Sequence, residues 1–252
     1  MASAMEITTT TTKAPPPPPL DVVNDGDAIQ TAVVSQSLTV VENARALHDE
    51  IFASFPESEA KRVSRLEREA KELANRSLVY GEICFETVAA VFTLMRNQFG
   101  VLLDRGGNFY DIGSGCGKVV LAAALLHDFQ KCCGIEILDG LHAMALKALE
   151  HWRYKTLDVL PVVKSDMDVG FAKGDATKLE LWRDATLVFC NATCFSDSLI
   201  QALSTAADQL NEGAYAVMVT KPLASKRWKI LHEQKFPMSW GSATVVIQRK
   251  VL

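Results

Sequence analysis

Asp111-Ile-Gly-Ser-Gly-Cys-Gly-Lys118 follows a short apolar run and opens a stretch of valines, alanines and leucines. Its three alternating glycines let a backbone turn tightly and come close to a ligand with no Cβ in the way. A glycine-rich turn between a strand and a helix also suits a dinucleotide, whose fingerprint is G-x-G-x-x-G. Here the third glycine comes one residue early, and Asp111 stands ahead of the set. A carboxylate at that place repels a pyrophosphate and suits a ligand ammonium, which disfavours dinucleotides and nucleoside triphosphates.

Around this loop short apolar runs alternate with helical patterns. Strands are expected at 108–112, 131–137, 170–173, 185–190 and 214–220, with helices at 118–127, 140–152 and 197–210 between them. Two further runs, 231–240 and 242–250, predict a closing antiparallel pair. Strand–helix alternation of this kind gives an α/β fold, a parallel sheet with helices on both faces. Such sheets bind ligands at the carboxyl ends of their central strands.

Two more acids fall at those ends. Glu136 closes the second strand, where a carboxylate accepts hydrogen bonds from ribose hydroxyls. Gly174-Asp175 closes the third, placing a carboxylate where an adenine amino group can donate to it. One acid at a strand end is usually a turn or cap; Asp111, Glu136 and Asp175 in register beside a glycine loop imply a shared ligand. That ligand has a ribose, an adenine, an amino group and no phosphate, which describes S-adenosylmethionine.

Ahead of the sheet the pattern differs. Residues 1–26 hold a threonine run (Thr8 to Thr12) and five prolines (Pro15 to Pro19); a disordered tail is expected, its composition burying too little to offset ordering entropy. Residues 27–78 form an N-terminal helical lobe of two helices, 27–52 and a highly charged one from Pro56 to Leu73. The second is a solvated face before it is an interaction surface. A third helix is expected over 83–99, preceded by Tyr80-Gly81-Glu82. The domain division is therefore 1–26, 27–78 and 79–252.

The 252 residues carry a net charge of −4, which argues against broad binding to naked nucleic acid. Six cysteines, at 84, 116, 132, 133, 190 and 194, sit mostly in apolar runs. They read as reduced core thiols of an intracellular protein, with neither a disulfide framework nor a zinc pattern. Adjacent Cys132 and Cys133 are expected on opposite faces of a strand. The five histidines show no metal-ligand spacing, no run reaches the length of a membrane span, and no signal peptide opens the chain.

V-Y-G-E (Val79 to Glu82), D-I-G-S-G-C-G-K-V-V-L (Asp111 to Leu121), G-I-E (Gly134 to Glu136), G-D (Gly174-Asp175), V-F-C-N-A-T-C-F (Val188 to Phe195) and T-K-P (Thr220 to Pro222) stand in an order and spacing that carry a resemblance. Over residues 79–250 the chain resembles the disruptor-of-telomeric-silencing family of non-SET histone-lysine methyltransferases, and its ending, Met238 to Lys250, is similar to the compact bacterial and protist members. The resemblance implies a class I S-adenosylmethionine methyltransferase with a Rossmann-like seven-stranded sheet. It implies a cofactor site of Tyr80, Glu82, Asp111, Gly113, Gly115, Lys118, Glu136, Asp175, Ala176 and Asn191, with Tyr80-Gly81-Glu82 closing over the methionine end. Catalytic roles fall to Asn191, which orients the incoming amine, to Tyr80, and to Phe195 as a wall of the acceptor channel. The implied acceptor is a lysine on the core of histone H3 in a nucleosome, which would place the protein in the nucleus as a chromatin regulator of a eukaryote, and otherwise in the cytoplasm. Lys221, Lys226, Arg227 and Lys229 form a basic cluster suited to DNA contact.

The chain departs from the family in places. Asn191-Ala192-Thr193 replaces Asn-Asn-Phe, Val245 and Val246 replace tyrosines, and Ile83 and Lys118 stand where Thr and Gln are usual. Another protein or a small molecule as acceptor, and a cofactor-binding module without catalysis, therefore stay open.

Overall fold

The structure of the protein, a computed structural model, describes residues 25–73 and 76–252. The chain divides into two units, residues 1–38 and 39–252. Of the first, the described part is the opening of helix α1 (Asp25–Phe52). Residues 1–24, most of the expected tail, lie outside the described residues, and Asp25 and Gly26 already belong to that helix.

The second unit continues α1 from Thr39 and adds α2 (Glu57–Ala70), α3 (Phe85–Phe99), β1 (Asn108–Ile112), α4 (Lys118–Leu126), β2 (Lys131–Glu136) and α5 (Asp139–His151). It ends with β3 (Asp168–Lys173), β4 (Leu187–Asn191), α6 (Asp197–Ala207), β5 (Tyr215–Val219), β6 (Trp228–Met238) and β7 (Gly241–Lys250). The seven strands form one sheet in the order β3-β2-β1-β4-β5-β7-β6. The first five pair in parallel and β7 runs antiparallel to both neighbours. The strand order reverses between β1 and β4, the switch point where a doubly wound sheet opens a crevice at its carboxyl edge.

Alternation along each central strand divides the core in two. Phe109 and Cys132 pack with α3, α4 and α5 on one face, while Tyr110 and Cys133 pack with α6 on the other. The neighbouring cysteines thus face opposite sides as expected, and all six thiols are free. Helix α4 is buried from Val119 to Leu125, because it is sandwiched between the sheet and α3 and carries apolar side chains on every face. Helix α3 ends at Gly100 in the left-handed region, with its N–H returning to Met95 O, a common glycine stop.

The boundaries of β1 match the expectation, whereas β3 starts two residues sooner and β6 three. Trp152, expected to close the helix over 140–152, instead opens a π turn, and two 3-10 turns follow it to Asp166 across a stretch unassigned in the sequence. Two side chains anchor it. Trp152 is 1% exposed, and buried Lys164 donates to Ala124 O at 2.6 Å and His127 O at 2.9 Å while pairing with Asp128 at 2.8 Å. Its ammonium satisfies carbonyls that the end of α4 leaves without helical partners. Among the described residues no helix is long and apolar enough to cross a membrane.

Candidate active site

The glycine loop hangs from β2. Gly113 and Ser114 N–H donate to Ile135 O at 2.9 and 3.0 Å, and Gly115 N–H donates to Glu136 Oε2 at 2.8 Å. Gly115 has φ +56° and Gly117 φ +93°. A Cβ at Gly115 would run into the Tyr80 ring, and one at Gly117 into Phe171. Glycine is required twice over at both positions, by conformation and by space.

Beneath the loop lies a cavity of about 280 Å³ at the carboxyl edge of β1, β2, β3 and β4. Its polar lining includes Tyr80, Glu136, Asp175 and Asn191, with backbone at Gly81, Gly113, Gly174 and Ala176. Its apolar lining comes from Ile135, Leu138, Leu141, Phe195, Leu199 and Leu203. Apolar walls with a few convergent polar groups are what a nucleoside needs.

Of the residues expected at the cofactor, Tyr80, Gly113, Glu136, Asp175, Ala176 and Asn191 meet in this cavity; Glu82, Asp111, Gly115 and Lys118 stand behind its walls. Glu136 is held by three backbone N–H groups, from Gly115 on Oε2 and from Ile137 and Leu138 on Oε1, each at 2.8 Å. Burial still raises its pKa against those three bonds. Asp175 Oδ1 accepts from Thr177 N–H at 2.9 Å, a turn that leaves Oδ2 available. Asp111 is 3% exposed. Burial, then the neighbouring Glu136 carboxylate, pushes its pKa well above the carboxylate range, and among the described residues no ion pair reaches it. A buried carboxyl beside a second carboxylate, with no cation of its own, is complementary to a ligand ammonium.

Glu82 and Lys118 form an ion pair at 2.5 Å with side chains 8% and 18% exposed. Tyr80 lies across the loop and joins this group: its hydroxyl meets Glu82 Oε1 and Cys116 Sγ, both at 2.9 Å. Burial raises the Tyr80 pKa, and burial also pushes the Cys116 thiol up to about 11. His48 holds the first turn of α4 from below, its Nε2 3.0 Å from Lys118 O. The polar groups of the Tyr-Gly-Glu segment thus support the lid over the glycine loop, and only its first two residues reach the cavity.

A second hollow of about 300 Å³ lies on the other side of Tyr80-Gly81, lined by Lys61, Val79, Tyr80, Gly81, Asn191, Thr193, Cys194 and Trp240. It shares Val79, Tyr80, Gly81 and Asn191 with the first. The Trp240 ring, at the tip of the β6–β7 hairpin, lies 3.1 Å from where a Gly81 Cβ would stand. The hairpin tip is tied to the helices by Ser239 Oγ to Glu57 Oε1 at 2.9 Å and Thr87 Oγ1 to Pro237 O at 2.5 Å. Trp240, Lys61 and Cys194 were not singled out in the sequence. None of the three left a signal there as a site residue, since packing between distant elements places each of them. Phe195 borders the first cavity and not the second. In the basic cluster, Lys221 is engaged, donating to Phe195 O at 2.8 Å and pairing with Asp197 at 2.7 Å; Lys226, Arg227 and Lys229 are exposed.

The family profile described as "Histone methylation protein DOT1" matches residues 63–239, more than half of the chain. The chain belongs to the DOT1 family. TrmN from Thermus thermophilus superposes with a TM-score of 0.51 at 15% identity, over 74% of this chain and 53% of that one; this chain thus spans about half of TrmN. The M1A22 tRNA methyltransferase TrmK of Bacillus subtilis gives 0.48 at 17% identity, over 68% of this chain and 66% of that one. At 15% identity the likeness to TrmN carries the fold alone. No curated protein matches the chain. As a DOT1-family member with the seven-stranded class I sheet, the protein is an S-adenosylmethionine-dependent methyltransferase, and the unpaired buried Asp111 beside an apolar nucleoside-sized cavity fits that cofactor.

Proposed function

We propose that the protein methylates a lysine amine on a protein: the family description points to a histone, and the motif resemblance points to the core of histone H3 in a nucleosome. The observation that carries this reading is the pair of hollows meeting at Asn191. When bound, the cofactor supplies a sulfonium methyl group. The chain's residues do the rest. Gly113, Glu136, Asp175 and Ala176 seat the nucleoside, with Asp111 and the Tyr80 lid behind the amino-acid end. Gly115 gives the loop its shape, while Glu82 and Lys118 brace the lid.

Asn191 Oδ1 accepts a hydrogen bond from the acceptor nitrogen and thereby aims its lone pair; orientation supplies much of the rate of a displacement of this kind. A lysine amine must first lose a proton against a solution pKa of about 10.4, and a poorly solvated channel favours the neutral form. Trp240 supplies the wall along which the lysine methylenes lie. Phe195 backs the cofactor side. In this reading residues 79–252 are the methyltransferase domain, helix α2 of the 27–78 lobe supports its acceptor side through Lys61, and the segment 1–26 is an extension. Exposed Lys226, Arg227 and Lys229 face nucleosomal DNA, with Lys221 fixing the loop that carries them, and the protein works in the nucleus.

One observation favours a second reading. Thr193 puts a hydroxyl into the acceptor hollow where the family has an aromatic ring, which suits a different protein or a more polar small acceptor. Labelled-methyl transfer to nucleosomes, free histones and whole lysate, beside calorimetry with S-adenosylmethionine and NAD, tests both. Label on nucleosomal H3 is the expected result; label only on other lysate components moves the acceptor, and tight NAD binding without label removes methyl transfer.

A further inference from the structure

We propose that Thr220 and Thr193 form a positioning relay that fixes the Asn191 amide for the acceptor; the inference rests on the methyl-transfer reading above. Asn191 Nδ2 donates to Gly81 O at 3.2 Å, which settles which end of the amide faces the Tyr80-Gly81 segment. Asn191 Oδ1 then accepts from Thr193 Oγ1 at 2.8 Å, with the Thr193 N–H a longer contact at 3.4 Å. A threonine hydroxyl has one proton. Thr193 donates it to Asn191, so the 2.9 Å contact between the Thr193 and Thr220 hydroxyls has Thr220 as its donor. The direction is therefore defined from Thr220 to Thr193 to Asn191. A carbonyl oxygen has two lone pairs; Thr193 Oγ1 takes one, and the other is met only by the long Thr193 N–H contact at 3.4 Å, which an incoming N–H can displace.

The backbone at Thr220 points the same way. Its φ is +73°, a genuine outlier for a β-branched residue. Thr220 N–H donates to Thr244 O at 2.7 Å, and Lys221 N–H to Val219 O at 3.0 Å, so the turn is firmly held. Thr220 is exposed, and the core gains nothing from its side chain. Glycine would adopt this backbone without strain. A strained threonine kept at the end of β5, its hydroxyl on the residue that orients Asn191, is strain held beside a site for the sake of a side chain. Thr193 touches the acceptor hollow, whereas Thr220 acts only through it.

Four variants of the full chain test the relay, with S-adenosylmethionine calorimetry, melting, labelled-methyl transfer to lysate proteins and the Asn191 side-chain amide signals in nitrogen-15 spectra. Thr220→Gly is expected to raise the melting temperature by about 2 °C and leave cofactor affinity within about twofold, yet to lower kcat by at least about tenfold. It should also move the Asn191 amide pair. Thr220→Ser keeps the hydroxyl and should stay near wild type in turnover and in that signal. Thr193→Val should lose as much as Thr220→Gly, and the double variant Thr193→Val/Thr220→Gly no more than either, as members of one chain do. A Thr220→Gly protein with wild-type turnover and an unmoved Asn191 signal overturns the relay, as does Thr220→Ser failing like Thr220→Gly. Should wild type bind cofactor and label nothing, the methyl-transfer reading falls instead, and the amide signals alone decide whether the relay holds Asn191.

Discussion

Apart from Tyr80-Gly81, the cavity under the glycine loop takes the polar groups named above from residues at or just past the ends of four adjacent strands, each spaced along the chain by one crossover. The hollow beyond Tyr80-Gly81 is assembled from Lys61 on α2, the segment before α3, the residues after β4 and the tip of the last hairpin. The first is a property of the sheet, and a loop sequence with three acids in register specifies it. The second is a property of packing between elements far apart in sequence, held by a few tethers. A donor site written into strand ends can stay fixed while an acceptor site written into contacts changes.

Asn191 borders both hollows, so its removal tests the division most sharply. Asn191→Ala should lower transfer by roughly a thousandfold, in the range of losing one oriented polar group at a reacting centre. Calorimetry should find the cofactor affinity little changed, and a parallel fall in affinity would merge the two sites into one. On the donor side, Lys118→Met strands Glu82 and should cost about 3 kcal/mol in urea unfolding. The double variant Glu82→Leu/Lys118→Met should recover most of it, since an apolar pair can replace a buried ion pair at little net cost.

The support below the loop should also be visible as a pH dependence. Burial lowers the His48 pKa to about 4 from an ordinary 6.5. Between those values the unfolded chain binds the proton and the folded one does not, so stability is full above pH 6.5 and falls as the pH drops towards 4. The loss amounts to about 3 kcal/mol, and His48→Gln should flatten that part of a urea-midpoint profile. Gly115→Ala combines a positive φ with a clash against Tyr80. It should cost about 2 kcal/mol and weaken S-adenosylmethionine binding by displacing the lid, read by melting and calorimetry; an unaltered affinity would detach Tyr80 from the donor side.

Legibility follows the same division. The strands around Asp111, Glu136 and Asp175 could be read because buried parallel strands are short apolar runs, and because the glycines mark where backbone and ligand crowd together. The stretch from Trp152 to Asp166 had no such period: its conformation depends on one tryptophan and on Lys164 reaching the carbonyls that end α4. The hidden arrangement of Glu82 and Lys118 depends on how deep the segment before α3 sinks, which spacing along the chain does not encode. Trp240 was equally out of reach, since a hairpin tip is placed by what it leans on.

The tip carrying Trp240 leans on Glu57 of α2 through Ser239 and on Thr87 of α3 through Pro237. Substitutions at Glu57 on α2 or at buried Thr87 on α3, away from the nucleoside cavity, would therefore tilt the indole and resize the mouth it guards. A lineage could retune which molecules are admitted by drifting at such scaffold positions, leaving the chemistry at the sheet edge untouched.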